Sequence, residues 1–210
     1  KHAPQVDYLI VNDCSTDNTE KILIENGFNY INNPINLGIG GGVQSGYLYA
    51  YQNGYDYAVQ IDGDGQHDPV YISEMIELLE KENADMAVGS RFITKEGFQS
   101  SGMRRFGINF LSGLIKLVSG AKVKDVTSGF RVVNKKYIEF FSKEYADDYP
   151  EPEAIVAVTL SGGKVVEAPV VMYEREGGVS SISPFKSVYY MIKVTLAILL
   201  YRMNFKGGKK

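Results

Sequence analysis

Three short apolar runs in this chain each stop at a polar cluster: YLIVN at residues 8–12 runs into DCSTD, YAVQI at 57–61 into DGDGQHDP, and DMAVG at 85–89 into SRF. Runs this short and rich in β-branched and aromatic residues read as buried strands, and the segments between them have the length and apolar spacing of helices. Strands alternating with helices predict an α/β domain, a mostly parallel central sheet flanked by helices. Ligands of such sheets bind beyond the carboxyl ends of the strands. Asp13, Asp62, Asp64 and the pair Ser90–Arg91 all stand at such ends.

The 210 residues suffice for one domain with its own core. A net charge of −3 gives no electrostatic footprint for nucleic acid. The one cysteine, Cys14, can close no internal disulfide, which points to a reducing, cytoplasmic setting. No signal peptide opens the chain. It starts on Lys1 and reaches a strand almost at once, so a first strand is expected to be missing. The expected division is a domain over residues 1–183 and a C-terminal apolar helix with a basic tail over 184–210. Residues 188–201 are apolar except for Lys193 and Thr195, short of the roughly 20 residues that span a bilayer. With Lys186, Arg202, Lys206, Lys209 and Lys210 around it, this helix reads either as lying in a membrane interface or as packed on the domain or a partner.

The second polar cluster carries the chemistry. Asp62 and Asp64 are separated by one glycine, so at an extended strand end both carboxylates face one side. Gly63 and Gly65 allow close approach of a ligand. Mg2+ or Mn2+ prefers oxygen ligands, typically one or two carboxylates completed by substrate phosphates. An EF-hand reading fails, because His67 stands where the loop glycine belongs and Ser73 where the bidentate glutamate belongs. Asp68 before Pro69 reads as a helix cap, and Asp17 with Glu20 as a capping box. The cluster NLGIGGGVQSG places Val43 at the last glycine of a G-x-G-x-x-G frame. It therefore reads as a loop and helix start, from Gly38 on, passing close to a bound nucleotide.

In order along the chain, VNDCSTDNT, NLGIGGGVQSGYLYA, QIDGDGQHDP, GSRF, DVTSGFRVVN and REGGVSS resemble the motif series of family-two glycosyltransferases with the GT-A fold. The likeness spans about residues 8–182 and is strongest to the branch of dolichyl-phosphate-mannose synthase and of bacterial polyprenyl-phosphate and cell-wall glycosyltransferases. It implies transfer with inversion from a UDP-, GDP- or dTDP-linked sugar, with Mg2+ or Mn2+, to a lipid-linked acceptor at the inner face of the cell membrane. It also implies residue roles. Asp13 would bond the nucleotide base, Asp62 the ribose or metal-bound water, and Asp64 the metal, with Gln66 completing that shell. Asn12 replaces the usual aspartate, Cys14 the usual glycine, and Ile39 the lysine found in many relatives.

Counting back from Gly162 places Glu151 at the family's acidic position, although YPEPE departs from the usual Glu-Asp. Glu151 is thus the expected base and Asp125 a second candidate; an exposed acidic loop before a helix is the competing reading for Glu151 and Glu153. Arg175, with Ser180 and Ser181 in a glycine turn, suits the departing diphosphate. Arg91 and Arg131 suit it too, unless each pairs with a nearby aspartate. Arg104 and Arg105 are contacts for an acceptor phosphate or solvated surface, and His67 is polar support. The alternatives are a sugar-nucleotide pyrophosphorylase, whose glycine-rich basic loop after the first strand is not evident here, and a non-catalytic sugar-nucleotide-binding or scaffolding protein. A second copy of the chain or a membrane protein completes the expected partners.

Overall fold

The computed structural model describes residues 5–99, 102–174 and 184–205. The chain runs β1 (Ile10–Asn12), α1 (Thr19–Glu25), β2 (Tyr30–Asn32), α2 (Gly38–Gln52), β3 (Tyr57–Gln60), α3 (Ile72–Lys81), β4 (Met86–Ser90), α4 (Gly102–Ser119), β5 (Arg131–Asn134), α5 (Lys135–Lys143), α6 (Pro150–Leu160), β6 (Val165–Pro169) and α7 (Pro184–Asn204). β1 and β2 pair in parallel, and the other strands form a sheet in the order β3-β5-β4-β6. β4 and β6 are parallel, whereas β5 runs antiparallel to both β3 and β4. The α/β class matches expectation; the reversed β5 does not follow from strand–helix alternation, because it comes after the long excursion through α4. Its reversal matters for the site. An antiparallel strand starts where its neighbours end, so Arg131 lies opposite Gln60 of β3 and Val88 of β4, at their carboxyl ends.

Alternation along the strands sorts side chains to two faces. Met86 and Val88 of β4 and Val133 of β5 point into one apolar cluster with helices α2, α4, α5, α6 and α7. Ala87 of β4 and Val132 of β5 point into the other, with Ile72, Met75 and Leu79 of α3. All five residues of β4 are buried, which is why that segment reads as a continuous apolar run rather than an alternating one.

The start of α1 departs from a capping box. Asp17 accepts a bond from the Thr19 amide (2.9 Å), while Glu20 turns to Asn32 Nδ2 (2.9 Å). Helix α2 begins at Gly38, inside the glycine cluster, and Arg104 and Arg105 belong to the first turn of α4. Helix α7 is no appendage. Tyr190, Val194 and Ile198, four residues apart, are buried in the first cluster, so the packed alternative holds for this face. Its other face exposes Tyr189, Ile192, Leu196, Leu200 and Met203. Among the described residues, no helix is long and apolar enough to cross a membrane.

Candidate functional site

The first acidic position is built by the backbone around it. Asp13, just past β1, accepts bonds from the Leu37 amide (2.9 Å) and from Asn33 Nδ2 (2.9 Å). Those donors belong to the turn between β2 and α2, so the carboxylate staples the end of one strand to the start of the glycine-rich helix. Buried Asn12 bonds Asn32 Oδ1 through Nδ2 (2.7 Å) and accepts the Ser15 amide (3.3 Å). It acts as a neutral strut here, a role the aspartate it replaces would fill only with a charge to satisfy. Cys14 sits at φ +58°, the left-handed region that disfavours any side chain, which explains why the resembling family has glycine there.

Gly40 is pressed against the segment that leads into α6. Its amide donates to the Asp147 carbonyl (2.9 Å), and a Cβ at this position would collide with the carbonyl oxygens of Ala146 and Asp147. Gly38, at φ +77°, makes the turn that brings α2 there. The glycine cluster is thus a packing device.

Asp62 and Asp64 leave β3 in a glycine-rich turn. Gly129, in the loop before β5, lies under Asp62: a Cβ there would stand 2.6 Å from Asp62 Oδ2. Only glycine lets the carboxylate lie on that loop. Asp64 accepts the Gln66 amide (3.1 Å), and Gln66 Nε2 donates to the Tyr173 carbonyl (3.2 Å), so the amide oxygen is the atom Gln66 would offer a cation. His67 is buried and stacks on Phe130 with ring centres 5.2 Å apart. Its Nδ1 accepts the Asp62 amide (3.2 Å). Burial lowers its pKa against the opposing pull of Asp62 and Asp64. A neutral imidazole holding the aspartate's backbone is the support expected. Asp68 caps the 3-10 turn at Pro69–Tyr71 through the Val70 amide (3.0 Å).

Three sequence candidates prove to be buried. Asp125 is fully buried, and both its oxygens are taken by Arg91: Nε at 2.7 Å and Nη2 at 3.1 Å. Both carboxylate oxygens and two of the three guanidinium nitrogens are therefore spent on the pair itself. Arg131 is also fully buried rather than poised at the surface. Its Nε donates to the Ser128 carbonyl (2.7 Å) and Nη2 to that of Val126 (3.3 Å), locking the loop that carries Gly129. Arg105 lies over the Phe92 ring at 3.3 Å, which takes it out of open solvent. Arg175, Ser180 and Ser181 lie outside the described residues.

Glu151 and Glu153 fall in the first turn of α6, which starts at Pro150, not in an exposed loop. A little of Glu151 reaches solvent, yet desolvation dominates and pushes its carboxyl up, opposed chiefly by Arg131 and reinforced by Asp62. Glu153 is pushed up to about 7 by burial and by Asp147 and Asp148. Sequence reasoning missed Tyr47 and Tyr145, whose buried hydroxyls share this surrounding; burial pushes Tyr47 up to about 12, with Arg131 opposing. No motif marks them, because tyrosine on an apolar helix face reads as core.

The family model "Glycosyl transferase family 2" matches residues 2–141. Polyprenol monophosphomannose synthase of Mycolicibacterium smegmatis is 26% identical over 91% of this chain and 76% of its own length. The UDP-N-acetylglucosamine–dolichyl-phosphate N-acetylglucosaminyltransferase of Methanococcus voltae is 28% identical over 91% of this chain and 86% of its own. Among solved structures, glucosyl-3-phosphoglycerate synthase from Mycobacterium tuberculosis superposes with a TM-score of 0.64 at 21% identity, covering 94% of this chain and 69% of that one. That enzyme has also been crystallised with Mn2+ and UDP-glucose, where the TM-score is 0.60 at 21% identity over 94% and 68% of the two chains. With the motif series in place on a matching fold, the chain belongs to glycosyl transferase family 2.

Proposed function

We propose that this chain transfers a sugar, with inversion, from a nucleoside-diphosphate donor to a lipid phosphate at a membrane surface. The reading is supported by carboxylates at the strand exits, Asp13 past β1 and the Asp62–Asp64 turn past β3, with Glu151 in the electrostatic neighbourhood of Asp62. Asp13, oriented by Leu37 and Asn33, would take the nucleotide base, and Gly38 and its helix the adjoining loop. Asp62 would meet the ribose.

Asp64 and Gln66 would hold the divalent cation. The donor set fits Mg2+ or Mn2+: carboxylate and amide oxygens in a glycine turn are hard ligands, and such an ion takes its remaining ligands from phosphates and water. When bound, such an ion neutralises charge developing on the departing diphosphate. Glu151 would orient or deprotonate the acceptor. Arg175, with Ser180 and Ser181, is proposed to contact the leaving group.

The lipid acceptor is supported by an apolar surface on two helices that pack together. Met103, Phe106, Phe110 and Leu117 are exposed along α4, at spacings of three, four and seven that keep them on one side. Tyr189, Ile192, Leu196, Leu200 and Met203 do the same along α7. The helices meet where Met191 Sδ lies 3.2 Å from a Cβ built on Gly107. Basic Arg104, Lys116 and Arg202 accompany these stripes, the pattern of an interfacial surface on anionic lipid. The names of the polyprenol and dolichyl-phosphate relatives agree with it.

The test is nucleotide release from a panel of UDP-, GDP- and dTDP-sugars, with Mn2+, against undecaprenyl phosphate in anionic vesicles and against soluble 3-phosphoglycerate. Turnover with the vesicles and not with the soluble phosphate is expected. Asp64→Ala should remove Mn2+-dependent donor binding, by at least about 100-fold, with an unchanged melting temperature. Donor binding that stays Mn2+-dependent in this variant refutes the metal role, and binding without turnover on any acceptor refutes the enzyme reading.

A further inference from the structure

Behind Glu151 three buried donors lack any acceptor. Tyr47 of α2 and Tyr145, which follows α5, meet edge-on with ring centres 5.5 Å apart. Both lean on Phe141, at 5.3 and 5.0 Å. The hydroxyls of both tyrosines and Nη1 of Arg131 are buried with no hydrogen-bond partner among the described residues. Tyr47 is 3% exposed and Arg131 0%. They share one electrostatic neighbourhood: the charge of Arg131 acts on Tyr47, Tyr145 and Glu151, and Glu151 acts on Tyr145.

Unpaired buried donors are destabilising and rare, and three of them in one place are a cluster that packing alone does not require. Phenylalanine would fill both tyrosine positions without that cost. Arg131 already satisfies two backbone carbonyls and still keeps a nitrogen in hand. Strain of this kind gathers where a site is prepared for a partner. Catalytic hydrogen bonds are commonly loose in the ligand-free protein and tighten in the reacting complex. Two acceptors belong to this surrounding: the Glu151 carboxylate, which the mechanism uses, and Gln60 Oε1, buried without a partner on the residue paired with Arg131.

We propose that Tyr47, Tyr145 and Arg131 are positioning residues that close on Glu151 when donor and acceptor are in place, fixing the oxygen it turns to the acceptor. The proposal rests on the reading of Glu151 given above. A tyrosine hydroxyl on one carboxylate oxygen would orient the other, and the guanidinium nitrogen would keep the group ionised as water leaves.

The test is steady-state turnover of Tyr47→Phe, Tyr145→Phe and Glu151→Gln, with the best donor of the panel and undecaprenyl phosphate vesicles, beside their melting curves. Each tyrosine variant should lose about tenfold in kcat, as small misplacements of a reacting group do. Its donor KM should hold, and its melting temperature should stay level or rise because an unpaired hydroxyl has gone. In the Glu151→Gln background the tyrosine changes should cost nothing further, since groups acting as a unit are non-additive. Full kcat in both tyrosine variants, or losses that add to that of Glu151→Gln, overturn the positioning role. Full kcat in Glu151→Gln itself overturns the assignment of Glu151, a distinct failure.

Discussion

Two arginines at strand ends begin alike and end differently. Arg91 follows β4 and Arg131 opens β5; both are buried. Arg91 meets Asp125 through two side-chain bonds, and a third bond comes from the Arg91 amide (3.3 Å). Asp125 is further fixed by its own amide on Glu167 Oε1 (2.9 Å). In that pair both carboxylate oxygens and two of the three guanidinium nitrogens are spent on each other. Among the described residues Arg131 has no carboxylate bonded to it, keeps Nη1 unpaired, and shares its electrostatic neighbourhood with a glutamate and two tyrosines whose hydroxyls are also unpaired. Buried charge alone therefore does not mark function. What separates the two is whether hydrogen-bonding capacity is left over beside a group that reaches solvent.

The largest effect should come from breaking the closed pair. Asp125→Ala leaves a buried guanidinium uncompensated, at a cost of about 3–5 kcal/mol. For a chain of this length that is a fall in melting temperature of roughly 6–20 °C. Replacing both partners with apolar residues of similar size, Arg91→Met with Asp125→Leu, should recover much of it. If Asp125→Ala melted normally and lost only turnover, Asp125 would be the functional carboxylate and the contrast would be reversed.

Gly40 sharpens the open side. The segment after α5 carries Tyr145 and leads to Glu151, and it rests on Gly40 through the Asp147 carbonyl. A methyl group at Gly40 has to displace backbone, not a flexible side chain. Gly40→Ala should cost about 1–3 kcal/mol, as overpacking does, and should lower kcat at least as far as Tyr145→Phe. Normal turnover in Gly40→Ala would mean that this segment's seat on α2 has no part in placing Glu151.

The strands and their polar exits were readable because a buried strand must be apolar and a ligand turn must not be. Asp13, Asp62 and Asp64 could be named on that ground alone. The reversal of β5 was not readable, since RVVN has the same pattern in either direction. With the reversal went the fate of Asp125 and Arg131, whose burial depends on which strand ends lie beside them. Tyr47 carried no signal either. Its position on α2 is apolar by spacing, and only the structure sets its hydroxyl beside Arg131. The tail was half readable: a stretch apolar all round predicts burial or a membrane, and α7 has one face buried and the other exposed.

The smallest effect separates Glu151 from its neighbour two residues on. Glu153 borders a cavity of about 160 Å³ lined also by Phe140, Phe141, Glu144, Tyr145 and Tyr201. Its carboxyl is pushed up to about 7 by burial and then by Asp147 and Asp148, with Lys193 opposing. An acid whose pKa is higher folded than unfolded binds more protons in the folded state between the two values. The contribution of Glu153 is thus most favourable near pH 4.5 and declines as pH rises to 7. Solvent reaches this group, so screening reduces the loss to about 1 kcal/mol. Glu153→Gln should then match the parent's melting temperature at low pH and exceed it by about 2–4 °C at pH 8. Its kcat should not share the loss expected of Glu151→Gln. A melting difference that does not change between pH 5 and pH 8 would place Glu153 in an ordinary solvated environment. A kcat loss equal to that of Glu151→Gln would mean the two carboxylates act together, and that the open cluster extends about half a turn further along α6 than the unpaired donors indicate.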